Sequence, residues 1–216
     1  MKTAFVETYR TENKVIIGEL LEKHEKFLES DLRRFEWKRH HDYAKNYVYL
    51  AKFYSESGLK NAEILESKKD ALKKAADYFK LALNADSKQP TTHWEMGQLN
   101  YRYPKDYGVK DNINAPDAID SYDKAIELYT ARDIAKGWRA DPYRMKAIIY
   151  VDSIKNRDDK YNPRKFLPEA KSLLQKAKSE YENAIPETRR YNEEGLKEVK
   201  EYLQTVDSLY QEFKIP

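Results

Sequence analysis

The four histidines, His24, His40, His41 and His93, are the residues best suited to metal or acid–base chemistry near neutral pH. Only His40 and His41 are adjacent, and Asp42 follows them, which is a start on the ligand set of a metal-dependent phosphohydrolase. Such a centre needs further His and Asp ligands around it, and the sequence supplies no Asp-rich partner motif. The chain contains no Cys, which excludes disulfides, Cys-ligated zinc and thiol nucleophiles. No glycine loop of the form G-x-x-x-x-G-K-[ST] or G-x-G-x-x-G occurs, nor a G-x-S-x-G nucleophile elbow. The many Asp and Glu residues read as solvated helix faces rather than a spaced catalytic pair. No catalytic residue, cofactor or metal is expected, and the chain reads as a non-enzyme.

Two further clusters invite a chemical reading. Arg33, Arg34, Lys38, Arg39, His40 and His41 form a basic knot interleaved with Phe35 and Trp37, the one stretch shaped like a nucleic-acid footprint. Glu29, Asp31, Glu36 and Asp42 dilute it, so it reads as a solvated helix end with cations near the C-terminus. The stretch from Pro104 to Pro116 carries Asp106, Asp111, Asn112 and Asn114 but lacks the central Gly and closing Glu of a calcium loop. It reads as a surface insertion. His24, on an apolar stripe, reads as a core or groove residue.

The elements that would position such residues are helices. Only 6 Gly and 8 Pro punctuate 216 residues, too few for a sandwich or barrel of many short strands. Charged residues reach 36%, above the ~25% of average globular chains, which suits exposed helix faces. Ile17, Leu21, His24, Leu28, Leu32 and Phe35 recur at steps of 3 and 4, one stripe of a long amphipathic helix. Breaks fall near Ser57-Gly58, Gln89-Pro90, Tyr103 to Pro116, Lys136-Gly137, Asn156 to Pro168 and Ile185-Pro186, dividing the chain into about eight helices. Pro116, Pro142 and Pro186 sit where helices begin, with Asp141 as the N-cap before Pro142. After Pro186, Leu196, Val199, Leu203, Val206, Tyr210 and Phe213 form a seam, with Tyr202 and Leu209 off it. Net charge is +3, from 40 Lys plus Arg against 37 Asp plus Glu, so nothing points to nucleic acid or an anionic membrane. No run of about 18 apolar residues argues for membrane insertion.

Two patterns alternate three times along the middle of the chain. One places a small residue between large ones: Tyr47, Leu50, Ala51, Tyr54; then His93, Met96, Gly97, Asn100; then Tyr143, Lys146, Ala147, Tyr150. The other spaces two alanines around a bulky residue: Ala75, Phe79, Ala82; then Ala118, Tyr122, Ala125; then Ala170, Leu174, Ala177. This alternation resembles the tetratricopeptide repeat family, whose ~34-residue unit pairs a W-x2-L-G-x2-Y helix with an A-x3-F-x2-A helix. The resemblance covers roughly residues 41 to 185. Within each unit the two small landmarks lie 24, 21 and 23 residues apart, against about 12 in the family, so each unit carries an insertion. Asn100 and Lys146 replace apolar residues of the pattern.

The resemblance implies an all-α fold of helix-pair repeats forming a short right-handed solenoid. Residues 1–40 would be an N-terminal helix on the repeats, 41–86, 91–130 and 141–185 the pairs, and 186–216 a C-terminal cap. In this family partners bind along the concave face lined by the first helix of each unit. By register those positions are Tyr49, Lys52 and Glu56, then Trp94, Gln98 and Arg102, then Arg144, Ile148 and Asp152. Their mix of aromatic residues with Lys and Arg has the composition of an interface, and the alternative is that Trp94 and Tyr49 fill core between units. Lys52 and Val48 replace the Asn and Lys of the family's carboxylate clamp, so chaperone-tail binding is not expected. The implied role is an adaptor for a protein or peptide, monomeric through an intramolecular cap rather than dimeric through the C-terminal seam. An envelope accessory subunit of a bacterial motility, transport or assembly complex is the alternative, with the compartment, cytoplasmic or periplasmic, left open.

Overall fold

A computed structural model of the chain describes residues 36–56, 62–131, 136–184 and 189–215. The N-terminal stripe from Ile17 to Phe35, with His24, Arg33 and Arg34, lies outside them. Among the described residues the fold is all-α, without a strand. The described chain forms two compact units, one holding the residues up to Ser87 with Leu99–Ile113, the other Lys88–Gln98 with the residues from Asn114 onward.

The first unit is built on two helices, α1 (Glu36–Glu56) and α2 (Ala62–Ala85), packed along their lengths. Ala44, Val48 and Ala51 on α1 and Leu72, Ala75, Phe79 and Ala82 on α2 are buried at steps of 3 and 4, with Ala71 beside Leu72, the facing stripes of two amphipathic helices. The small residues let the backbones approach, and rings fill the groove beside them. Tyr78 of α2 is stacked by His40 and Tyr47 and tilted against Tyr43, all from α1. Towards the other end Phe53, Tyr54 and Ile64 form a second cluster, so the helices run antiparallel.

The expected insertion contains the short α4 (Arg102–Asp106) and a 3₁₀ turn at Lys110–Asn112. It is pinned to α2 rather than loose. Lys68 Nζ donates to the Tyr107 carbonyl at 2.9 Å, and Lys69 Nζ lies 2.9 Å from Asp111. Val109 is fully buried, delivered by a turn in which Gly108 takes φ +73 and the Val109 N–H donates to the Pro104 carbonyl.

The second unit contains α3 (Pro90–Asn100) as far as Gln98, then α5 (Ala115–Ala131), α6 (Lys136–Lys155), α7 (Pro163–Glu182) and α8 (Arg189–Glu212). Asn114 caps α5 by accepting from the Asp117 N–H, with Pro116 in the first turn. Asn162 caps α7, accepting from the Arg164 N–H at 2.9 Å with Pro163 at the first helical position. The expected break to Pro168 is therefore shorter, and Pro168 lies inside α7. Helix α6 packs on α5, α7 and α8, and α7 packs on α8.

A second expected boundary moves. Helix α6 begins at Lys136, so Pro142 lies inside it and Asp141 is no N-cap. The Asp141 carboxylate is instead claimed by Tyr181 and Arg144.

All nine residues of the second pattern, from Ala75 to Ala177, have zero exposure. Ala51 and Ala147 match them, and Gly97 is also buried. A Cβ on Gly97 would lie 2.3 Å from Tyr122 Cε1, closer than any side chain tolerates, so this crossing requires glycine.

Candidate functional site

The nine inner positions fall into three different environments. On α1, Tyr49 is 43% exposed, with the Lys45 ammonium 5.7 Å from its ring centroid. Lys52 pairs with Glu56 one turn on, both half exposed. These three residues present an aromatic and charged face. Arg102 was expected on the helix of Trp94 and Gln98, but α3 ends at Asn100 and Arg102 lies on α4, paired with Asp106 at 3.1 Å.

On α3, Trp94 tilts against Tyr122 at 5.4 Å, and Gln98 donates to the Tyr122 hydroxyl at 3.2 Å. Gln98 is 6% exposed. The expectation of an exposed Gln98 is corrected: α5 covers it, and its amide satisfies a buried hydroxyl.

On α6, Ile148 is 2% exposed, again against the expectation. Its neighbours one turn away face α8: Arg144 donates to Glu198 at 2.8 Å, and Asp152 accepts from the Tyr202 hydroxyl at 3.1 Å. This stretch of the inner row is an internal contact. Of the nine, Tyr49, Lys52 and Glu56 are exposed, Gln98 and Ile148 are buried, and the other four are partly buried.

The C-terminal seam is covered by the same chain. Val199 and Val206 are fully buried against α6 and α7. Leu209, expected off the seam, is 6% exposed, because α8 touches two helices and so buries a wider stripe than one partner would. Lys171 with Asp207 and Arg157 with Glu212 rim this contact.

The histidine pair serves packing. His40 stacks on Tyr78, and His41 lies edge-on to Phe79 and near Trp37. Burial, then the Arg39 charge, lowers the His40 pKa, with Glu36 opposing. Arg39 Nη2 lies 3.2 Å from His40 Nε2, a contact that favours an unprotonated accepting nitrogen. Among the described residues no group of three His, Asp or Glu is arranged to hold a metal ion. Three of the four polar residues of the calcium-like stretch are engaged elsewhere: Asp106 by Arg102, Asp111 by Lys69, and Asn114 as a helix cap.

Two polar networks in the second unit escaped the sequence reading. Lys146, 11% exposed, reaches Asp123 on α5 at 2.8 Å and Glu169 on α7 at 3.3 Å, while the Tyr150 hydroxyl donates to Glu169. Burial pulls the Lys146 pKa down, but the Asp123 bond and the surrounding negative groups outweigh it and the net shift is upward. Burial and Glu169 push Tyr150 up to about 12. A cation in a pattern position held by Leu50 and Met96 in the other two units was the available signal. With its ammonium 5.7 Å from the Tyr150 ring centroid and its side chain 11% exposed, Lys146 buries its stem and so supplies packing as well as charge. Lys146→Met, which keeps the stem, is expected within about 1.5 kcal/mol of wild type, and Lys146→Ala to cost about 1–3 kcal/mol. Urea unfolding checks both, and equal losses would rule out the packing role.

In the second network Asp141 accepts from the Tyr181 hydroxyl at 2.5 Å and from Arg144 at 2.9 Å. Burial, followed by the Asp141 charge, raises the pKa of Tyr181. Tyr129 on α5 is raised by burial, then by Asp141 and Glu95. Gly195 of α8 makes room for this arrangement, since a Cβ there would lie 2.5 Å from Tyr181 Cζ and Oη. Ala51, Gly97, Ala147 and Gly195 are 46, 50 and 48 residues apart, a spacing that marks Gly195 in the sequence.

Among the described residues the fold is all-α, with an exposed aromatic and charged face on α1 and two polar networks in the second unit. No protein-family model matches the chain, and a search of curated proteins finds no significant match.

Proposed function

We propose that the chain is a non-enzymatic, tetratricopeptide-like adaptor whose helix pairs build a short right-handed solenoid and which binds a protein or peptide through the exposed face of α1. The observation that carries this reading is the burial of every small landmark in the three alternating motif pairs, while Tyr49 and Lys52, in the register that faces partners in such repeats, stay exposed. An aromatic ring beside lysines offers an apolar contact and charge at one place, the composition of an energetically dominant interface position.

The test is selection of peptides against the full chain by phage display, followed by hydrogen-exchange footprinting. Selected peptides are expected to protect α1 around Tyr49 and Lys52. Tyr49→Ala is expected to weaken them about 30-fold or more, as loss of a hot spot of ~2 kcal/mol does. Footprints confined to α2 or α7, with Tyr49→Ala neutral, would remove this reading.

A further inference from the structure

Where α6, α7 and α8 meet, one guanidinium serves two carboxylates. Arg144 Nη2 donates to Asp141 on its own helix at 2.9 Å, and Nη1 donates to Glu198 on α8 at 2.8 Å. Its Nε is buried without a partner, so the cation is committed to these two acceptors. Tyr181 of α7 donates to the same Asp141 oxygen that Arg144 Nη2 uses. Around them stand Tyr129 from α5 with Glu95 from α3 beside it, and the Arg139–Glu180 pair joining α6 to α7 at 3.2 Å.

We propose that this node is a proton-operated latch on α8: protonation of Asp141 releases the Arg144 guanidinium to Glu198 and tightens the hold on the helix, and ionisation of Asp141 loosens it. Helix α8 supplies both Glu198 and the space at Gly195 that the Tyr181 ring occupies. Undocking α8 therefore removes one competitor for Arg144 and frees Tyr181 from its position over Asp141. The state of Asp141 and the position of α8 are coupled through two separate contacts.

The sign follows from linkage. In the docked structure burial raises the Asp141 pKa above its ordinary 3.8; Arg144 and the Tyr181 bond pull it down, Glu198 adds to the rise, and the net shift is upward. With α8 released, Glu198 leaves and its part of that rise is lost. The docked state therefore binds the proton more tightly. Docking is strongest with Asp141 protonated, and this contribution fades as the pH rises through the raised pKa. Lys171–Asp207 and Arg157–Glu212 hold α8 outside the node and bear no relation to Asp141.

Hydrogen exchange of the full chain, followed by mass spectrometry from about pH 9 down to about pH 4, the range above the ordinary carboxyl value, and corrected for intrinsic exchange, reads the hold on α8 directly. In wild type, protection of the α8 segment around Val199 to Leu209 is expected to rise on acidification, by at most about tenfold per pH unit. Asp141→Asn, which cannot titrate, and Glu198→Gln, which removes the competing charge, are each expected to flatten that rise to within about twofold. Asp207→Asn should lower protection at every pH and keep the wild-type slope. Constant or falling protection in wild type on acidification, or a wild-type slope retained by Asp141→Asn, would overturn the latch.

Discussion

Tyr122→Ala is expected to destabilise the chain by about 3–5 kcal/mol, the cost of emptying a large ring site in a closed core. Tyr122 has no exposure, packs at a tilt against Trp94 and accepts from Gln98, so the deletion leaves a cavity and an unsatisfied buried amide. Gly97→Ala is expected to cost about 1–3 kcal/mol, although alanine is the better helix former by ~1 kcal/mol, because the new methyl would meet the same ring. The double variant separates these causes. With the ring gone the methyl has room, and Gly97→Ala in the Tyr122→Ala background should become neutral or stabilising. Urea denaturation of the four proteins completes the cycle. Additive losses would show that Gly97 is not required by Tyr122.

Val206→Asp should be comparably severe. Val206 is fully buried in the α8 seam, and an unpaired carboxylate there costs about 3–5 kcal/mol by analogy with buried pairs that lose one partner. Gln204→Asp, on the exposed side of the same helix, should stay within about 0.5 kcal/mol of wild type. The same pair of variants tests association. Since the chain covers its own seam, wild type should sediment as a monomer, and Val206→Asp should expose apolar surface on α6 and α7 and self-associate. A wild-type dimer that Val206→Asp converts to a well-folded monomer would place the seam between chains.

What the sequence made legible was local. Ala75, Phe79 and Ala82, and their counterparts around Tyr122 and Leu174, could be assigned to a core because residues 3 and 4 apart share a helix face whatever lies opposite. Asp141 was misread for the complementary reason. Beside Pro142 it has the form of a cap, and the hydroxyl that claims it belongs to Tyr181, 40 residues away. Gln98 and Ile148 were assigned outward by register, but α5 covers the first and packing within the second unit buries the other. Gly195 passed unnoticed because Glu194 and Glu198 occupy the flanks where the pattern has large apolar residues. Lys146 could be recognised as a departure, while the carboxylates that justify it come from two other helices.

The placement of the three tryptophans gives the molecule its own optical reporters. Trp37 lies beside His41 in the first unit, Trp94 against Tyr122 in the second, and Trp138 at the start of α6 with half of its surface in water. A chain retaining Trp37 alone reports on the α1–α2 pair, and one retaining Trp94 alone reports on the crossing that Gly97 permits. Trp138, already hydrated, should change its emission wavelength least when the protein melts. Fluorescence from single-tryptophan chains can thus tell whether the two units lose their structure together or in succession, without any attached dye.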